Sequence, residues 1–559
     1  MHEDHGAQAY AVFKKISKKN FMQVTTTQLN VLYNILCRAR REEAYKSALA
    51  AFDTPEGESI EELIGKYFEG YNARHGVDIR ETLTEFTDPS LMEGGYFVLD
   101  TFRQDENGAL IPHPPTEFEK GETAYVKAVL YSTSSGDRLR VPQITVTSLN
   151  DDGIADEAQA SDTDEILFPL SLSRAGSVKC KVIARDGEGK PILGLDTAFG
   201  GVIFSGREIR TTHQPPADLR AFWEEQIGRM LAVDPTDEML TPYSGAVVTA
   251  FDITEKNFHR ITPVDEAYCE KLRENGQSAP RPEALQSHRI WDVRLKAPGP
   301  NPATMYVSVP AHAAEHSLPI HFVFDGYGVT QPAPCVFSGE IAVHCSHHGY
   351  ELGKEDVSYY RVLKEGICAN YGRGNGKTNA GYADIRDCYM TYLLLRNLQA
   401  IRYCTDPQFS AELPLLHEKW NGELVISGSS MGGYQTICVG ALCTILREKS
   451  APFTLTKLDA HVPAFCNIAG PYEDTRIPTY ITVYEEGMDY YDAALLASLI
   501  RAPFCVQRLA LGDETCPATG ILAAFNAIPA DVTKSVKFLQ NSSHGYIPDL
   551  PLQKWYTYE

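Results

Sequence analysis

Glu423-Leu-Val-Ile-Ser-Gly-Ser-Ser-Met-Gly-Gly-Tyr-Gln435 reads as a short apolar strand running into a Gly-x-Ser-x-Gly turn and then a helix. Gly428, Ser430 and Gly432 hold the three fixed positions. Such a turn lifts the central hydroxyl above the sheet, and flanking glycines let the backbone bend that sharply. The helix N-terminus beneath it supplies unpaired N–H groups that favour negative charge. An exposed nucleophile beside a donor for an oxyanion is what acyl transfer requires. Alone the motif is weak, since chance places about 0.2 copies in a chain this long. Its flanks must supply the rest.

Working outward, the pattern from Gln214-Pro-Pro-Ala-Asp218 onward alternates strand and helix. Strands are expected at Arg289–Lys296, Met305–Val309, Pro319–Phe324, Glu340–His344, Glu423–Ser427, Val462–Ile468, Phe504–Leu511 and Val536–Gln540. Helices are expected at Leu219–Leu231, Ile385–Arg402, Gly433–Arg447, Asp492–Ile500 and Ala518–Ile528. This order predicts a mostly parallel sheet with helices on both faces, an α/β-hydrolase fold over residues 209–559.

Site residues in such a sheet follow the carboxyl ends of strands. Ser430 does so, as does Asp513 in Leu509-Ala-Leu-Gly-Asp-Glu-Thr-Cys-Pro517, and His544 in Phe538-Leu-Gln-Asn-Ser-Ser-His-Gly-Tyr546. The order Ser, Asp, His is that of α/β-hydrolases. His544 would take the serine proton, and Asp513 would hold the imidazole in its tautomer. Taken singly, an Asp after a strand is usually a turn residue and a near-terminal His a surface one. Glu514 is the nearest rival acid. The oxyanion hole should draw on the backbone N–H of Met431 and on that of Tyr327 in Phe324-Asp-Gly-Tyr-Gly-Val329. The plain alternative is that Gly326-Tyr-Gly is only a flexible turn.

Upstream, residues 1–115 read as a helical N-terminal region. Gln28–Phe52 is amphipathic, and a capping box at Ser59 and Glu62 opens a helix over Ile60–Tyr71. Residues 116–208 switch to period 2, with strands at Ala124–Tyr131, Gln143–Thr147, Glu165–Leu170, Ser177–Ala184 and Gly201–Ser205. Short strands between Gly-, Ser- and Asp-rich turns predict an immunoglobulin-like β-sandwich. It would serve as a spacer or lid, or bind sugar.

The 559 residues carry 51 basic and 73 acidic side chains, a formal charge of −22. A balance that acidic gives no electrostatic reason to bind nucleic acid or an anionic membrane. There is no run of 18 apolar residues, so no membrane span is expected. Met1-His-Glu-Asp-His-Gly6 has no secretory pattern, and the 13 cysteines are scattered. Both point to a reducing, cytoplasmic setting. Gly372-Arg-Gly-Asn-Gly-Lys-Thr378 imitates a phosphate loop, but Tyr371 stands where its first glycine is needed. His344, Cys345, His347 and His348 lack the second cluster of a metal site. No metal or cofactor is expected.

From about residue 215 to the end, the chain resembles the acetyl xylan esterase/cephalosporin C deacetylase family, carbohydrate esterase family 7. The likeness lies in Ala221-Phe-Trp-Glu-Glu225, Gly326-Tyr327, Gly428-x-Ser430-x-Gly432-Gly433, Tyr491-Asp492, Ile500-Arg-Ala-Pro503, Gly512-Asp513-x-x-Cys516-Pro517, Asn526 and His544. The Asp-x-x-Cys-Pro segment is the most specific of these. The resemblance implies removal of acetyl groups from acylated sugars or oligosaccharides through a serine acyl-enzyme. It also implies a possible homo-oligomer. The sequence departs from the family at Asp325, where His is usual, at His347-His348-Gly349 in place of Arg-Gly-Gln, at Met431 for Gln, and at Gly545 for Glu. Two other readings stand beside it: a serine peptidase of prolyl-oligopeptidase type, and a non-catalytic carbohydrate-binding or scaffold protein on a hydrolase fold.

Overall fold

The structure is a computed structural model. It describes residues 95–237, 259–327, 334–346, 384–545 and 554–558, omitting 133–134, 193–194, 196, 275–278, 300, 451 and 480–482. A few positions near 62–72, and residues 349 and 352, are also described. Residues 65–69 are helical, within the expected Ile60–Tyr71. The expected helix at Gln28–Phe52, the Gly372–Thr378 stretch, His347 and His348 lie outside the described residues.

Eight strands form two antiparallel sheets: β1 (Gly95–Gln104), β2 (Leu110–Pro112), β3 (Thr123–Ser132), β4 (Val141–Asn150), β5 (Ala155–Thr163), β6 (Glu165–Ser171), β7 (Gly176–Arg185) and β8 (Ala198–Phe204). Their orders are β2-β1-β3-β6 and β5-β4-β7-β8. In β6 the side chains of Ile166, Phe168 and Leu170 turn inward while their neighbours face out. They meet Phe97, Leu99, Val126, Ile144, Val182 and Phe204 in one shared core. The sandwich thus begins at Gly95, inside the span expected to be helical up to residue 115. The alternation Phe97, Leu99 was masked by apolar neighbours on both sides, so neither period stood out. The outer strand β5, also unexpected, has alanines as its only apolar residues. Asp156, Glu157 and Asp162 keep that edge charged, which discourages pairing with another chain.

The second unit is a ten-stranded sheet. Its strands are β9 (Arg260–Pro263), β10 (His288–Leu295), β11 (Ala303–Pro310), β12 (Leu318–Phe324), β13 (Ile341–Ser346), β14 (Trp420–Ser429), β15 (Thr454–His461), β16 (Phe504–Ala510), β17 (Lys534–Gln540) and β18 (Lys554–Tyr558). Across the sheet they run β9-β10-β11-β13-β12-β14-β15-β16-β17-β18. β11 is antiparallel to both neighbours, and every pair from β13 to β17 is parallel. That order, with β12 and β13 exchanged, is the α/β-hydrolase fold. Five helices matter to the site: α1 (Leu219–Leu231), α2 (Tyr389–Thr405), α3 (Met431–Arg447), α4 (Ala493–Leu496) and α5 (Ala518–Ala527). Every residue of α3 from Met431 to Cys443 is buried, so this helix is enclosed all round and central. No described helix is long and apolar enough to cross a membrane.

One expected strand is corrected. Val462–Ile468 is not a strand; β15 lies just before it at Thr454–His461. Val462, Phe465 and Asn467 have positive φ values of 38°, 52° and 58°, which fold the segment back. Its apolar residues are buried in a loop, with the Phe465 ring edge-on to Tyr434 at 5.1 Å. An apolar run signals burial without saying which backbone carries it.

Candidate active site

β14 delivers Ser430 at the N-cap of α3 with φ 62° and ψ −116°. A non-glycine residue held there costs about 1–3 kcal/mol, so its surroundings must impose the conformation. The glycines explain how. A methyl on Gly432 would lie 2.1 Å from the Phe324 carbonyl oxygen, and one on Gly428 would lie 2.5 Å from the Gly432 carbonyl. The Ser430 N–H donates to the His461 carbonyl (2.9 Å), and its own carbonyl accepts from Tyr434 (3.0 Å) and Ala464 (3.0 Å).

The turn after β16 carries Asp513, and the turn after β17 carries His544. His544 Nε2 is 2.9 Å from Ser430 Oγ, and His544 Nδ1 is 2.8 Å from Asp513 Oδ2. Asp513 is buried, and its Oδ1 accepts from the N–H groups of Thr515 (2.7 Å) and Cys516 (2.8 Å). These contacts fix the carboxylate plane toward the imidazole. The Gly512 N–H donates to Ser542 O (3.1 Å), tying the two turns together. Arg508 Nη2 approaches the His544 carbonyl at 3.4 Å. Glu514, the rival acid, makes none of these contacts; the imidazole bonds to Asp513.

Met431 is the first residue of α3, so its N–H has no acceptor within the helix. The loop after β12 passes beside it: a methyl on Gly326 would sit 3.9 Å from Ser430 Cβ. Tyr327 follows, its ring half-buried against the central core. Buried Gln435 ties loop to helix by donating to the carbonyls of Asp325 (3.2 Å) and Met431 (3.1 Å), while Asn397 donates to its side-chain oxygen (2.7 Å). Sequence reasoning missed Gln435. An amide four residues past Met431, on a helix with no charged residue before Arg447, was the available signal.

Asp513, Cys516 and His544 also bring one ligand atom each within 4.8 Å of one another. Burial pushes the Cys516 thiol well up, and a neutral thiol is a poor metal ligand. His344, one of the residues weighed for metal, instead meets Asp325 and Cys335. A cavity of about 800 Å³ opens beside Ser429 and runs past Gly326, His461, Gln507, Lys537 and Trp555.

No family model matches this chain, and no curated protein does. Among solved structures, acetyl xylan esterase 1 from Thermoanaerobacterium sp. JW/SL YS485 is 16% identical over 62% of this chain and 93% of its own, with a TM-score of 0.41. An acetyl xylan esterase from Paenibacillus sp. R4 is 17% identical over 61% and 94%, with a TM-score of 0.40. A Pyrobaculum calidifontis esterase is 14% identical over 50% and 82%, with a TM-score of 0.29. The strand order, with β12 and β13 exchanged, carries the fold by itself.

Proposed function

We propose that this protein is a serine carboxylesterase that removes acetyl groups from acylated carbohydrates. The observation that carries the reading is the bridge of His544 between Ser430 Oγ (2.9 Å) and the Asp513 carboxylate (2.8 Å). Ser430 Oγ attacks the ester carbonyl while His544 Nε2 takes its proton. Asp513 keeps Nδ1 protonated and stabilises the imidazolium. The N–H groups of Met431 and Tyr327 receive the developing oxyanion. His544 then returns the proton to the departing sugar hydroxyl, and water releases the acetyl group by the same steps.

The sugar part of the reading draws on the Asp513-x-x-Cys516-Pro517 signature and on the neighbouring cavity. There the half-exposed Trp555 ring lies with Gln507 and Lys537, an aromatic face beside hydrogen-bonding groups. The two-sheet sandwich over Gly95–Phe204, in place of propeller blades, favours the esterase over the peptidase.

The test is hydrolysis of p-nitrophenyl acetate, butyrate and octanoate, then of acetylated xylo-oligosaccharides, by wild type and Ser430→Ala. The expected result is preference for acetate and a loss of roughly 10³-fold or more in the variant. Wild type inert on every ester would end this reading.

A further inference from the structure

The strongest unassigned chemistry lies on the far side of the loop that flanks Ser430. Cys335, between β12 and β13, places Sγ 3.3 Å from Nδ1 of His344. His344, buried on β13, places Nε2 2.9 Å from Asp325 Oδ1. Thiol, imidazole and carboxylate therefore stand in line, each within hydrogen-bond reach of the next. The Ser430 site needs none of them, since it has its own imidazole in His544 and its own acid in Asp513.

We propose that Cys335, His344 and Asp325 form a second nucleophilic centre, a thiolate–imidazolium pair that adds to α,β-unsaturated carbonyl compounds. An imidazole whose two nitrogens face a carboxylate and a sulfur serves both as a donor only when it carries both protons. Burial alone would strip that charge. The hydrogen bonds to Asp325 and Cys335 outweigh it and push the His344 pKa up to about 10. A cysteine beside a charged imidazole is the usual setting of a reactive thiol.

Among the described residues, the other titratable groups nearby do not compete for this role. Cys345, next to His344 on β13, is fully buried, and burial pushes its thiol well up. Glu340 and His321 pair with each other at 2.6 Å. Cys335 itself is only partly buried.

In the reaction, the sulfur forms a bond to the β-carbon and the π pair of the alkene moves onto the carbonyl as an enolate. The proton on His344 then quenches the enolate, so the net change is addition of S–H across the double bond. No oxidant or further reactant is needed.

The probe is N-ethylmaleimide, limiting, at pH 6.5, with the modified residue located by peptide mass spectrometry. Cys505, the other half-buried cysteine among the described residues, serves as internal comparison. We expect Cys335 to be labelled at least tenfold faster than Cys505, and at least tenfold faster than Cys335 in the urea-unfolded chain. His344→Gln should bring the folded protein down to the unfolded-chain rate. A Cys335 labelled no faster than in the unfolded chain overturns the proposal. So does an unchanged rate in folded His344→Gln. Should that variant fail to fold, the folded-against-unfolded comparison in wild type decides alone. Labelling needs no ester turnover, so it succeeds or fails independently of the esterase reading.

Discussion

Gln540 and Gly201 exchange two hydrogen bonds as a pair of backbone amides would. The Gly201 N–H donates to Gln540 Oε1 (3.1 Å), and Gln540 Nε2 donates to the Gly201 carbonyl (3.0 Å). Gln540 ends β17, four residues before His544, and Gly201 lies in β8 of the sandwich. The sandwich thus braces the turns that carry the acid and the imidazole. Gln540→Ala would leave two buried backbone groups without partners and should cost about 2–4 kcal/mol. Urea unfolding measures it, and a variant as stable as wild type would show that the brace carries no weight.

As closely as Gly201 does, Gly512 also packs backbone to backbone in this brace. A methyl there would meet the Phe199 carbonyl carbon at 2.4 Å and the Gly200 nitrogen at 2.5 Å, both backbone atoms with little room to yield. Gly512→Ala should push Asp513 away from His544. A displacement near 1 Å lowers kcat by roughly 10²-fold with KM for p-nitrophenyl acetate little altered. An unchanged kcat would mean that the sandwich shifts and the site does not.

Asp151 locks the other end of the sandwich to the hydrolase sheet. It is fully buried and accepts from Ser177 N (2.7 Å), Ile477 N (3.0 Å) and the Thr519 hydroxyl, with Arg476 Nη1 at 3.5 Å. Asp151→Ala leaves the buried Ser177 and Ile477 N–H groups without this acceptor, while Arg476 keeps Asp474 at 2.8 Å, and should destabilise by about 2–4 kcal/mol. A loss under 1 kcal/mol by thermal or urea unfolding would contradict this.

Asp513→Asn keeps the shape of the acid but lets its amide face His544 Nδ1, which favours the wrong tautomer. We expect kcat to fall about 10⁴-fold with unchanged circular dichroism. A fall of tenfold or less would transfer the acid role elsewhere, with Glu514 the first residue to test.

His344 makes stability depend on pH. Its pKa is raised to about 10 in the folded chain, above the ordinary histidine value near 6.5. Its contribution is therefore complete below about pH 6.5 and is lost as pH climbs toward 10. Wild type minus His344→Gln, measured by urea unfolding at pH 6 and pH 9, should show a larger stability difference at pH 6. Equal differences would mean that the ring is neutral throughout.

Much of the fold could be read from local pattern. The strand-to-elbow-to-helix run around Ser430 depends on short-range chemistry, namely an apolar run, three spaced glycines and a helix start. β10, β11, β12, β13, β14, β16 and β17 were likewise legible because each is bounded by turn residues. Where locality failed, burial had overridden it. Val462–Ile468 is apolar because it is buried, Phe465 against Tyr434, and β5 is polar because only its backbone is needed at an edge.

Local pattern was enough to put Ser430, Asp513 and His544 at strand ends, since period and turn chemistry are set by neighbours along the chain. Tertiary structure alone decided the distances between them, the brace of Gln540 on Gly201, and the line from Cys335 through His344 to Asp325. Those pairings join residues up to 339 positions apart. Contact at such range is fixed by strand order and sheet packing, which no stretch of sequence contains.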